Sequence, residues 1–136
     1  MRASAVPTPV LGRVTVVGPC ASGKSELVAR LQSLGYEARH CAQEHSYVPD
    51  MWQRLSRPQV LVYLDVSLDV IADRGRANYD AAYLAVQRER LAHARAHCDI
   101  YVHTDPLGPQ DVARRVVAGL QSRGISVRSG ESGAGN

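Results

Sequence analysis

Residues 13–25 read Arg13-Val-Thr-Val-Val-Gly18-Pro19-Cys20-Ala21-Ser22-Gly23-Lys24-Ser25. Val14 to Val17 form a β-branched run, the signature of a buried strand. The run stops at Gly18-Pro19, and a helix can start at Gly23 to Ser25. Leu27, Val28, Leu31 and Leu34 then recur at helical spacing until Gly35 closes the helix. The turn between them fits G-x-x-x-x-G-K-[ST], a pattern that arises by chance in roughly one chain of this length in a few hundred. Its residue types suit one task. Gly18 and Gly23 let backbone N–H groups of the loop, through Cys20, Ala21 and Ser22, approach phosphate oxygens. The helix N-terminus adds unpaired donors and positive dipole density. Lys24 brings a compact ammonium to the β and γ phosphates, and Ser25 a hydroxyl for Mg²⁺.

The rest of the chain alternates. Tyr36 to Cys41 reads as a second strand, and Pro49-Asp50 can open a short helix through Met51, Trp52 and Leu55. Val60 to Leu64 is the strongest strand and ends at Asp65. Ser67 can cap a helix to about Asp73, and residues 74–79 are a polar connector. A long helix is expected from Asp80 to about His97, with Leu84, Leu91 and Ala94 on one face. Asp99 to His103 is a last strand, and Pro109 to Gln121 a closing helix built on Val112, Val116, Val117 and Leu120. Strand and helix in alternation imply an α/β fold: three layers, α/β/α, around a mostly parallel four-stranded sheet. Residues 1–12 are expected to be a flexible leader, 13–123 the domain, and 124–136 a disordered Gly/Ser-rich tail.

Composition narrows the setting. The 136 residues are 45% hydrophobic and 21% charged, enough for one core and too apolar for a disordered chain. No run approaches the length of a membrane span, and no secretion signal opens the chain. Three cysteines without a CxxC pair suit a reducing cytoplasm. The net charge of +3 is a weak pointer to anionic partners. Its make-up says more: Lys24 is the only lysine among sixteen basic residues, so it stands where arginine does not substitute. The arginines are dispersed and no nucleic-acid recognition motif is present, which argues against a nucleic-acid partner.

The 18–25 motif resembles the Walker A loop of P-loop NTPases. No NKxD guanine motif accompanies it, since neither Asn78 nor Asn136 precedes a lysine. Asp105-Pro-Leu-Gly108 matches DxxG only after the last strand. An ABC-type signature and the length for an AAA+ core are also missing. What remains resembles the small-kinase branch: shikimate, nucleotide and deoxynucleoside kinases. Leu61 to Ser67 followed by Arg74 and Arg76 is similar to their strand-then-lid segment. Cys98 to Asp105 is similar to their last strand. The resemblance implies a P-loop fold, ATP and Mg²⁺, and γ-phosphoryl transfer to a small acceptor: a nucleoside, nucleotide, sugar or other alcohol. A non-kinase nucleotide-binding module, a slow ATPase or a regulatory sensor, is the alternative. These kinases have a further strand between the second and the Val60 strand, for which this chain has no room.

The resemblance also suggests roles. Glu44, past the second strand, either deprotonates an acceptor hydroxyl or is an exposed loop acid. Asp65 either holds Mg²⁺ or caps the next turn. Asp50 is read as a cap for the Trp52 helix. Arg74 and Arg76 resemble lid arginines that clamp the transferring phosphate, and Arg88 and Arg95 can extend that clamp. Trp52 and Tyr47 either stack on a planar acceptor or pack the core. His93 and His97, at i and i+4, are read as surface residues lacking a third ligand. Cys20 is a small loop residue whose oxidation would obstruct nucleotide.

Overall fold

The computed structural model describes residues 8–73 and 80–127. Its elements are β1 (Arg13–Val17), α1 (Lys24–Ser33), β2 (Glu37–His40), a 3₁₀ turn (Gln43–His45), a π-helical turn (Trp52–Ser56), β3 (Val60–Asp65), α2 (Leu68–Asp73), α3 (Ala81–Arg90), α4 (Ala92–His97), β4 (Ile100–His103) and α5 (Pro109–Ser122). The four strands form one sheet in the order β2-β1-β3-β4, every neighbour parallel. From β1 the chain goes first to one side (β2) and then to the other (β3). The switch point therefore falls between β1 and β3, and ligands of such sheets sit beyond the strand ends at that point.

Side-chain alternation along the strands divides the core. Val14, Val16, Val60, Val62, Leu64 and Val102 pack against Leu27, Val28 and Leu31 of α1 and against Val112, Val116 and Leu120 of α5. Val17, Leu61 and Tyr63 face the other way, onto Trp52, Leu91 and Ala94. Helices thus cover both faces, as an aliphatic all-parallel sheet requires. A smaller cluster of Val66, Ile71 and Leu84, with Cys20 and Ala21 against it, lies under the 18–25 loop.

The packed unit runs slightly past its expected limits. Val10 N–H donates to the Arg57 carbonyl at 2.8 Å, and Ile125 is buried. The helix expected from Asp80 to His97 is two helices, interrupted at Leu91. Leu91, at the interruption, and Ala94 beyond it are both fully buried in the cluster with Leu61 and Tyr63. Asp80 caps α3 by accepting from Tyr83 N–H (2.8 Å), and Ser67 Oγ accepts from Val70 N–H (3.3 Å). Asp50, expected as a cap, instead pairs its carboxylate with Arg54 Nε at 2.9 Å, and the turn it precedes is π-helical. Among the described residues no helix is long and apolar enough to cross a membrane.

Candidate functional site: the 18–25 loop and the Lys24–Glu44 pair

The loop occupies the switch point. β1 delivers Gly18 beside the end of β3 so closely that a Cβ there would lie 2.3 Å from the Leu64 carbonyl oxygen and 2.8 Å from Ser22 Oγ. Only glycine fits. Gly23 is required for a different reason: its φ of +98° is left-handed, and space around it is open. Ala21 also has a left-handed φ, +63°. For a residue with a Cβ this costs about 1–2 kcal/mol, and backbone strain of this kind gathers at ligand-binding loops. The sequence carried no signal of it.

The first α-helical bond of α1 runs from Leu27 N–H to the Gly23 carbonyl (3.0 Å). The amides ahead of it therefore have no helical carbonyl to serve. Within the loop, Ser22 N–H bonds the Pro19 carbonyl (3.2 Å) and Cys20 N–H donates to Gln87 Oε1 (3.1 Å). Ser25 is exposed on the first turn of α1. Ser22 is 2% exposed, and its Oγ has no hydrogen-bond partner.

Lys24 folds back over the loop. Its Nζ donates to the Gly18 carbonyl (2.8 Å), the Pro19 carbonyl (3.2 Å) and Glu44 Oε2 (2.8 Å). Glu44 is no exposed loop acid: its side chain is 4% exposed, and Oε1 is buried without a hydrogen-bond partner. The turn that carries Glu44 is anchored by its neighbour. Gln43 is fully buried; its Nε2 donates to the Val48 and Arg90 carbonyls (2.9 and 3.1 Å), and its Oε1 accepts from Trp52 N–H (2.8 Å). This amide ties β2's exit to α3 and to the π turn. Gln87, fully buried on α3, does the same for Cys20. Sequence reasoning missed both glutamines, because only tertiary packing distinguishes a structural amide from a surface one.

Asp65 stands at the C-terminal end of β3 but is already engaged. Its Oδ1 accepts from Val66 N–H (3.0 Å) and meets Arg88 Nη2 at 3.4 Å, and the other oxygen accepts from the Tyr101 hydroxyl. Burial, and then this bond to Asp65, push the Tyr101 hydroxyl's pKa up, so it stays a donor. The expectation of Asp65 as a magnesium ligand meets a carboxylate occupied by a tyrosine and an arginine. Arg88 and Arg95 do share one cavity, of about 640 Å³, with Tyr63, Asp65, Cys98 and Tyr101; Arg95 lies over the Tyr101 ring at 5.3 Å. Arg74 and Arg76 lie outside the described residues.

Trp52 is core, 4% exposed, and donates Nε1–H to His93 Nδ1 (3.1 Å). Tyr47 is 85% exposed under the Arg90 guanidinium, 4.3 Å away. His97 stacks on His93 with ring centroids 4.2 Å apart. Beside the loop, Ala21 to Gly23, Leu27, Thr104, Leu107 and Val112 line a second cavity of about 350 Å³, walled mainly by apolar groups. Compared with known proteins, the chain matches no family model and finds no significant relative among curated proteins.

Proposed function

We propose that this protein binds Mg·ATP at the 18–25 loop and transfers its γ-phosphoryl group to a small hydroxyl-bearing acceptor. The observation that carries the reading is the Lys24 ammonium. It is the chain's one lysine, poised at a strand-to-helix loop on two loop carbonyls and one buried carboxylate. A triphosphate seated on the α1 amides would draw Nζ to its β and γ oxygens, and the flexible stem permits the move. Mg²⁺, held through Ser25 Oγ, would neutralise charge on the same oxygens. The apolar cavity beside Leu27 and Val112 suits the nucleotide base.

Releasing Lys24 frees Glu44. Its carboxylate would then accept the acceptor's O–H proton as the acceptor oxygen attacks the γ phosphorus and ADP departs. Substrate binding and base activation are linked in this scheme, because one ammonium serves both partners. Arg88 would help to balance developing charge, the task that the resemblance assigns to Arg74 and Arg76.

A second reading, a nucleotide-binding module without transferase activity, is favoured by one observation. Asp65 is committed to Tyr101 and Arg88, which leaves the metal without a second protein oxygen at β3. Calorimetry with ATP and Mg²⁺ tests binding: Lys24→Ala should weaken it by roughly 10- to 100-fold, the worth of a charge-assisted bond. Unchanged affinity overturns both readings. ATP consumption with and without a panel of alcohols, sugars and nucleosides separates them, since the kinase requires an acceptor and the module does not.

A further inference from the structure

We infer that Cys20, Glu44 and His45 form a zinc site that clips the 18–25 loop to the segment following β2. Cys20 Sγ lies 3.9 Å from His45 Nε2, and His45 Nε2 lies 3.5 Å from Glu44 Oε2. One ligand atom from each residue falls within 4.8 Å of the other two. A tetrahedral zinc ion bound by sulfur, nitrogen and oxygen at their usual bond lengths separates those atoms by about 3.3 to 3.6 Å. The three side chains therefore stand within small rotations of a coordination face.

A second observation points the same way. Glu44 Oε1 is buried with no hydrogen-bond partner, an arrangement that is costly without a cation to serve. Oε2, the oxygen nearest His45, is shared with Lys24, so metal binding turns the carboxylate from the ammonium toward the ion. Lys24 keeps the Gly18 and Pro19 carbonyls when the carboxylate turns to metal. Gln87 supplies the outer support such ligands need: its Nε2 sits 3.2 Å from Cys20 Sγ, and its Oε1 holds the Cys20 amide. A thiolate with an imidazole selects zinc over magnesium. Three protein ligands leave the fourth position to water.

The site spans the mouth of the loop. Two loop-bordering groups, the Cys20 thiolate and the Glu44 carboxylate, are engaged when zinc is bound. The site rests on the geometry of these side chains and not on nucleotide binding.

Cobalt(II), added alone to metal-depleted full-length protein, is the first probe. One equivalent should produce a thiolate-to-cobalt charge-transfer band with tetrahedral visible bands, and one equivalent of zinc should bleach both. Cys20→Ser should abolish the charge-transfer band. Loss of a supporting partner alone costs about ten- to a hundredfold in metal affinity, so His45→Ala, at a half-exposed side chain, should cost at least that. Circular dichroism checks that both variants fold. Alkylation mapped by mass spectrometry is the second probe. Zinc, and not magnesium, should slow the modification of Cys20 at least tenfold while sparing Cys41 and Cys98. No band in the wild type, a band that persists in Cys20→Ser, undiminished zinc affinity in His45→Ala, or equal protection of all three cysteines each overturns the site. Titration of the metal-depleted protein with Mg·ATP is run separately. Its failure would overturn nucleotide binding and leave the zinc result standing, and the converse also holds.

Discussion

Lys24 Nζ and Glu44 Oε2 are 2.8 Å apart, in a pair whose side chains are 11% and 4% exposed. The residue that opens α1 and the residue in the turn that follows β2 are thus joined beyond the ends of β1 and β2. A buried pair adds little net stability, but removing one partner strands the other. Lys24→Met should destabilise the fold by roughly 3–5 kcal/mol by leaving a buried carboxylate uncompensated. Glu44→Gln added to that variant should recover much of the loss. Urea denaturation of the two single variants and the double variant measures the coupling, and additive effects would contradict the pairing.

The two loop glycines should fail differently. Gly18→Ala places a methyl against the Leu64 carbonyl, which is backbone and cannot rotate away. A loss of roughly 1–3 kcal/mol is expected from overpacking. Gly23→Ala meets no atom within 4 Å and carries only the left-handed φ penalty, about 1–2 kcal/mol. Thermal denaturation compares them, and the crowding should also displace the loop in Gly18→Ala alone.

Stability should fall in acid from a defined set of carboxylates. Burial works to raise the Glu37 carboxyl's pKa, but hydrogen bonds from Arg13 and Arg39 outweigh it and hold it below its ordinary 4.5. Burial likewise opposes, and the Ser67 bonds and His103 overcome it, in lowering Asp105 below 3.8. A carboxyl whose folded pKa is depressed contributes stability that is complete above its unfolded value and is lost as pH falls through the folded one. The urea midpoint, followed from pH 7 to 3, should therefore stay level for these groups down to about pH 5 and decline below about 4.5. Glu37→Gln should flatten part of that decline.

Gln43→Ala should cost roughly 1–3 kcal/mol, because Trp52 N–H and two carbonyls lose their partner in the interior. Trp52 is the only tryptophan. Its fluorescence should shift as the π turn loosens, and an unmoved spectrum would separate Gln43 from that turn.

Most of the fold was legible along the chain. A β-branched run marked β1 and an apolar run marked β3, Gly35 ended α1 with a φ of +100°, and Pro109 opened α5, all of them local signals. The interruption at Leu91 was not legible, because the buried period of Leu84, Leu91 and Ala94 continues across it. Nor was the π-helical turn at Trp52, where a proline and an aspartate read as an ordinary helix start.

For the site, the division follows the same line. The eight residues from Gly18 to Ser25 marked a tight strand-to-helix loop that requires glycine at 18 and 23, since those demands are made on neighbouring backbone. The identity of the lysine's partner, the burial of Glu44, the approach of Cys20 to His45 and the capture of Asp65 by Tyr101 came from the tertiary structure. Those side chains are brought together from separate segments by the β2-β1-β3-β4 order of the sheet. Pairing at that range depends on which strand lies beside which, and no local spacing encodes it.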